Sequence, residues 1–157
     1  MIVPPMTYSR KGIQLTESFE GLSLESYQDL GGIWTIGYGH TGSGVGPGMA
    51  CTQAQAEQWL EQDYAWAEGE VNAMVGIQPT QGEFDALTDF TFNCGRWNFD
   101  HSTLLRLVNE GDLPDAARQF ERWDKVGGKV VAGLLRRRLA EEAEFLGSPP
   151  LTALLGP

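Results

Sequence analysis

The 157-residue chain carries 21 acidic and 11 basic side chains, a formal net charge of -10, with 41% hydrophobic and 20% charged residues. That balance suits one folded domain with a real core and excludes the low-hydropathy composition of a disordered chain. It also argues against nucleic acid as a partner, because phosphate binding draws on clustered Lys and Arg. The only basic run, Arg136-Arg137-Arg138, reads as a solvated helix face. No stretch approaches the roughly 18 apolar residues of a membrane span, and Met1-Ile2-Val3-Pro4-Pro5 is no signal peptide. The expectation is a chain made in the cytoplasm, with no membrane insertion. Cys51 and Cys94 stand alone, without Cys-x-x-Cys or His-rich companions, so two free thiols, no metal and no cofactor are expected. An oxidising space would leave a Cys51-Cys94 bridge open.

In chain order, a helix is expected over about 9–20, carrying Ile13, Leu15 and Phe19, with Gly21 as the residue that ends it. Eight of the 20 glycines fall between Gly31 and Gly48. Over that stretch the pattern changes to short runs around Tyr27 and Trp34-Thr35-Ile36. These predict two or three antiparallel strands turning at Asp29-Leu30-Gly31-Gly32, within a β lobe of about 21–50. Thr52 and Gln55 form a capping box for a linking helix of about 52–75, whose apolar stripe runs through Ala56, Leu60, Tyr64, Ala67, Val71 and Met74. A second box, Thr80 with Glu83, opens a helical lobe of about 80–146, with further helices near 102–109, 113–122 and 133–146. Residues 147–157 read as a tail. The class is α+β, one domain with a small N-terminal antiparallel sheet and a larger helical lobe joined by the long helix.

Single carboxylates in so acidic a chain are uninformative; their arrangement is not. Glu20 falls at a helix C-terminus, where the macrodipole disfavours the ionised form and Phe19 and Leu22 add desolvation. A carboxyl group so placed suits a general acid. Asp29 falls in a polar turn before Gly31-Gly32, where solvent and backbone N–H groups favour the carboxylate. Thr35 follows on the next strand, with a hydroxyl suited to hold a water. An acid and a base in separate environments is the pairing that glycoside hydrolysis uses. The plainer readings are two surface carboxylates and a β-branched strand filler.

The run Phe19-Glu20-Gly21-Leu22, Tyr27-Gln28-Asp29 and Trp34-Thr35-Ile36-Gly37-Tyr38-Gly39-His40-Thr41 resembles the phage-type lysozymes, the endolysins of glycoside hydrolase family 24. Glu20, Asp29 and Thr35 keep the family spacing without a gap. The likeness continues through Phe92-Asn93-Cys94-Gly95, Ser102-Thr103-Leu104-Leu105, Gly127-Gly128-Lys129 and Gly133-Leu134-Leu135-Arg136-Arg137-Arg138, and so covers about residues 9–146. The resemblance implies a lysozyme-like two-lobed fold and a muramidase. Its substrate would be the β-1,4 bond between N-acetylmuramic acid and N-acetylglucosamine in peptidoglycan. Glu20 would protonate the leaving oxygen, while Asp29 and Thr35 position and activate water for inversion. It further implies an ion pair between His40 and Asp63, sugar contacts from Thr41, Phe92, Asn93 and Gln119, and one of the three arginines reaching back towards Glu20. Trp34, Trp97 and Phe99 offer sugar-stacking faces, although packing explains Trp97 and Phe99 as well. A monomer acting on glycan strands is implied, one that waits in the host cytoplasm and needs a holin to reach the periplasm and wall at lysis. Lytic transglycosylation of the same bond and an inactive wall-binding module are the competing readings. Because peptidoglycan is largely anionic, a charge of -10 leaves only local attraction, expected near Arg136 to Arg138.

Overall fold

A computed structural model describes residues 3–147; positions 148–157, most of the expected tail, lie outside the described residues. The element order is α1 (Arg10–Glu20), β1 (Ser23–Gln28), β2 (Trp34–Gly37), α2 (Gln53–Met74), α3 (Gln81–Cys94), α4 (Arg96–Asp100), α5 (Thr103–Glu110), α6 (Leu113–Gln119), a 3-10 turn (Phe120–Trp123), β3 (Lys125–Val126), β4 (Lys129–Val130) and α7 (Ala132–Phe145). This is the α+β class, a small antiparallel sheet followed by helices. The chain divides into two compact units: Thr16–Trp66, and a second assembled from the residues up to Leu15 and those from Ala67 on. None of the described helices is long and apolar enough to cross a membrane.

In the Thr16–Trp66 unit, β1 and β2 pair antiparallel, with Tyr27 opposite Thr35 and Gln28 opposite Trp34. The turn at Asp29 closes the hairpin, and an isolated bridge between Glu25 and Ala50 lays the returning chain along β1. Both ends of the Thr52 capping box form: Gln55 N donates to Thr52 Oγ1 and Thr52 N donates to Gln55 Oε1, each at 3.2 Å. The helix they open runs 22 residues.

The other unit centres on α3, where every residue from Glu83 to Thr91 is buried. Its Thr80–Glu83 capping box also forms. Phe90 is the hub of the core, edge-on to Phe120 at 5.8 Å and to Trp123 at 5.4 Å, with Phe99 tilted at 6.4 Å. Burying α3 on all sides takes three carboxylates inside, and each finds donors. Glu83 accepts from Thr80 N in the capping box. Asp85 accepts from Ser9 and from Gln81 Nε2. Asp89 takes a two-pronged bond from Arg137, both N···O distances 2.9 Å.

Three expectations need correction. The Arg136-Arg137-Arg138 run is not a solvated face: only Arg136 is exposed, whereas Arg137 and Arg138 are 5% and 0% exposed. Their carboxylate partners are Asp89 on α3 and Glu141 one turn further along α7, and an unpaired guanidinium could not be buried there at tolerable cost. The helix near 113–122 ends at Gln119 and tightens into the 3-10 turn. Helix α4 and the β3–β4 hairpin around Gly127-Gly128 were not anticipated, being five and two residues long, too short to show a periodicity.

Candidate active site

Glu20 is the last residue of α1, and the chain leaves the helix at Gly21. Its carboxylate lies against the turn after β2. Ile36 and His40 exchange main-chain hydrogen bonds of 2.9 and 2.8 Å, which compress Gly37-Tyr38-Gly39 into a tight loop. Both glycines are required, for different reasons. At Gly39 the backbone is left-handed (φ 80°), and a β-carbon there would sit 3.3 Å from Glu20 Oε2. At Gly37 (φ 69°) a β-carbon would press on α2, 3.2 Å from the Ala56 methyl and 3.4 Å from Trp59. Between them Tyr38 is buried. Burial, then the carboxylates of Glu17 and Glu57, push its phenol above the usual range against an opposing hydrogen bond with Gln53.

His40 anchors the far side of this loop. Its Nδ1 lies 2.9 Å from Asp63 Oδ2 and 3.1 Å from Oδ1. A carboxylate oxygen accepts, so Nδ1 carries the hydrogen. The imidazole also stacks on Trp59, centroids 4.8 Å apart and planes 8° from parallel. Trp59 and Asp63 are four residues apart on α2, so one helix face holds the ring by its plane and by its edge. Sequence reasoning paired His40 with Asp63 but missed Trp59, although this i,i+4 spacing on a helix was the available signal.

Asp29 sits exposed at the hairpin tip with one carboxylate oxygen fixed. Oδ1 accepts from the backbone N–H of Gly31 at 2.8 Å and of Ile33 at 2.9 Å. No hydrogen bond from a described residue reaches Oδ2. Thr35, 4% exposed, donates its hydroxyl to the Ile33 carbonyl at 2.9 Å, which leaves the oxygen's remaining lone pairs to accept. Since Asp29 N bonds Ile33 O, the β register continues past Gln28–Trp34, and Asp29 and Thr35 share one face of the hairpin as diagonal neighbours. The carboxylate and the hydroxyl therefore present acceptor sites on the same face.

Glu20, Asp29, Thr35, His40, Thr41 and Asp63 all belong to the Thr16–Trp66 unit, with Thr41 exposed beside His40. Phe92, Asn93 and Gln119 belong to the other unit. Phe92 is half-buried and Asn93 exposed in the last turn of α3, and Gln119 is half-buried at the end of α6. Asn93 lines a cavity of about 390 Å³ with Asn98, Arg122, Trp123, Lys125 and Leu134. Arg138 Nη1 is 2.8 Å from Cys94 Sγ, and burial pushes the Cys94 thiol up to about 12. Both cysteines are free. Arg138 Nη2 donates to Glu141 Oε2 at 2.9 Å, and burial pushes the Glu141 carboxyl well above its ordinary value while Arg138 pulls it down. The partners Asp89 and Glu141 were missed in the sequence. Of the two aromatic residues left open between sugar stacking and packing, Phe99 is core, whereas Trp97 is 69% exposed and stacks on His101.

The comparisons with known proteins agree with this architecture. The family model described as phage lysozyme matches residues 17–141. The endolysin of Bacillus phage PZA is 45% identical over 148 residues, covering 92% of this chain; the chain spans only 57% of that relative's length. Among solved structures, an endolysin from Escherichia coli O157:H7 phage FAHEc1 superposes with a TM-score of 0.86 at 38% identity, covering 94% of this chain and 99% of the other. The muramidase domain of SpmX from Asticaccaulis excentricus gives 0.83 at 39% identity, covering 91% and 99%. A family match that spans both units, with the Glu20, Asp29 and Thr35 positions inside it, shows that the chain belongs to the phage lysozyme family.

Proposed function

We propose that this phage lysozyme is an endolysin-type muramidase, a glycosidase acting on peptidoglycan, and that it hydrolyses the β-1,4 bond between N-acetylmuramic acid and N-acetylglucosamine. Glu20 gives its proton to the leaving glycosidic oxygen. A water on the opposite face of the sugar donates one hydrogen to Asp29 Oδ2 and the other to Thr35 Oγ1. Its lone pair is thereby directed at the anomeric carbon, and Asp29 takes the proton as the new C–O bond forms. The configuration at that carbon inverts.

The observation that carries this reading is the division of labour at the hairpin. Asp29 Oδ1 is held by two N–H donors and the Thr35 hydroxyl hydrogen is engaged at Ile33, so each group has acceptor capacity left for one water. A transglycosylase needs no such water. Sugar contacts from Thr41, Phe92, Asn93 and Gln119 belong to the same proposal. So do a monomeric enzyme, glycan strands as substrate, and a holin for its passage from host cytoplasm to wall, supported by the endolysin relatives.

The test is clearing of purified cell-wall suspensions by wild type beside Glu20→Gln, with mass spectrometry of the products. The expected result is rapid clearing by wild type, reducing muramic ends, and almost no clearing by the variant. Anhydro-muramic ends would replace hydrolysis with transglycosylation. Equal clearing by the two proteins would remove Glu20 from the mechanism.

A further inference from the structure

Trp97 is the one tryptophan of the described residues that is mostly exposed, at 69%. Leaving a large indole in water forgoes burial that the other four tryptophans obtain at least in part. It is also held rigidly. Its ring stacks on His101, centroids 4.2 Å apart and planes 19° from parallel, and its carbonyl accepts from His101 Nδ1 at 2.8 Å. A carbonyl can only accept, so Nδ1 carries the hydrogen and the neutral ring keeps Nε2 as an acceptor. His101 in turn lines a shallow cavity of about 320 Å³ with Asp100, Thr103, Arg106 and Asn109. Asp100 belongs to the same polar wall, and its carboxylate is engaged with Glu70, whose carboxyl is pushed up by burial and by Asp100.

We propose that Trp97, His101 and the adjoining polar cavity form a second glycan-binding site. A pyranose ring stacks its C–H face on the outer indole face, and its hydroxyl and N-acetyl groups reach His101 Nε2 and the polar cavity wall. A flat aromatic platform edged by hydrogen-bonding groups fits a sugar, with an apolar face and a polar rim. It fits a helix or an apolar peptide poorly, because both need a continuous hydrophobic groove. The site also meets a need set by charge. With a net charge of -10 and two of the three clustered arginines buried in ion pairs, long-range electrostatics do not draw this molecule to an anionic wall. An uncharged stacking contact on a polymeric substrate raises the local concentration of cleavable bonds by a second attachment.

The site rests on the peptidoglycan reading for its ligand, and the experiment keeps the two apart. Isotope-labelled Glu20→Gln protein is titrated with chitotetraose while the tryptophan indole N–H signals are followed by NMR. In parallel, retention on insoluble peptidoglycan is compared for Glu20→Gln and Glu20→Gln/Trp97→Ala. The expected result is a saturable shift of the Trp97 indole signal and about tenfold weaker retention, the size of one stacked aromatic contact. Trp97→Ala in the otherwise wild-type chain should cleave soluble glycan fragments at the wild-type rate while clearing walls more slowly. If walls are cleared normally but the Trp97 signal does not move and retention is unchanged, the second site is overturned and the enzymatic reading survives. If wild type clears no walls while the Trp97 signal still shifts, the enzymatic reading fails and the site stands. Loss of self-association on Trp97→Ala without any response to saccharide would reassign the surface to a second copy of the chain.

Discussion

Replacing Gly39 by alanine separates what the backbone needs from what Glu20 needs. At φ 80° an alanine sits in the left-handed region at a cost of about 1–2 kcal/mol. In a domain of this size that lowers the melting temperature by roughly 2–8 °C. The added methyl would also lie 3.3 Å from Glu20 Oε2, so the carboxylate must give way by a few tenths of an ångström. If a misplacement of about 1 Å costs about a hundredfold, this one costs about three- to tenfold in kcat. Gly48→Ala is the matched control: its φ is 73°, and a β-carbon there meets nothing within 4 Å. Melts followed by circular dichroism should show similar losses for both variants, while wall clearing per folded molecule falls only for Gly39→Ala. Equal turnover in the two variants would refute the claim that Gly39 makes room for the Glu20 carboxyl group.

Asp89→Asn strips the buried Arg137 of its carboxylate and should destabilise by about 3–5 kcal/mol, read as a fall of roughly 6–20 °C in Tm; a fall under about 3 °C would mean that another group takes up the charge. Asp63→Ala breaks a pair whose side chains are 21% and 30% exposed, so the expected loss is about 1 kcal/mol or less, with substantial wall clearing retained. An unchanged melting temperature would show that the pair holds nothing. Burial and the neighbouring Glu121 raise the Glu142 carboxyl to about 7, so the folded chain keeps a proton there that the unfolded chain gives up nearer its ordinary value of 4.5. Stability from this group is therefore greatest in acid and declines as pH rises through that window. The amplitude is under about 1 kcal/mol because the group is partly exposed, and a Glu142→Gln melt series should lack this slope.

What was legible in the sequence was local. The Thr52 and Thr80 caps marked two helix starts, Asp29-Leu30-Gly31-Gly32 marked the hairpin turn, and Glu20, Asp29 and Thr35 lie close enough in the chain for spacing alone to group them. What was not legible depended on distant partners. Arg137 and Asp89 are 48 residues apart, and nothing in a run of three arginines tells which will be buried until the acid facing it is known. The need for glycine at position 39 was not legible either, because the group that excludes a side chain there comes from α1. For Trp97 the sequence left a sugar-stacking face and a packed aromatic equally open, because its exposure is a property of the finished fold.

The unit built on α3 is made of two separate stretches of chain, and this sets the order in which the molecule can be completed. Ser9 docks on Asp85, which lies 76 residues later. At a synthesis rate of about 5–20 residues per second, that partner emerges from a ribosome about 4–15 s after Ser9 does. Lys11 waits longer still, for Glu144 on α7. During that interval the stretch from Thr16 to Trp66 is wholly synthesised and contains both strands of its own hairpin. The Ser9–Lys11 segment thus finds its partners only after the whole Thr16–Trp66 stretch has been made, and the hairpin that carries Asp29 and Thr35 can form before the core of the other unit closes.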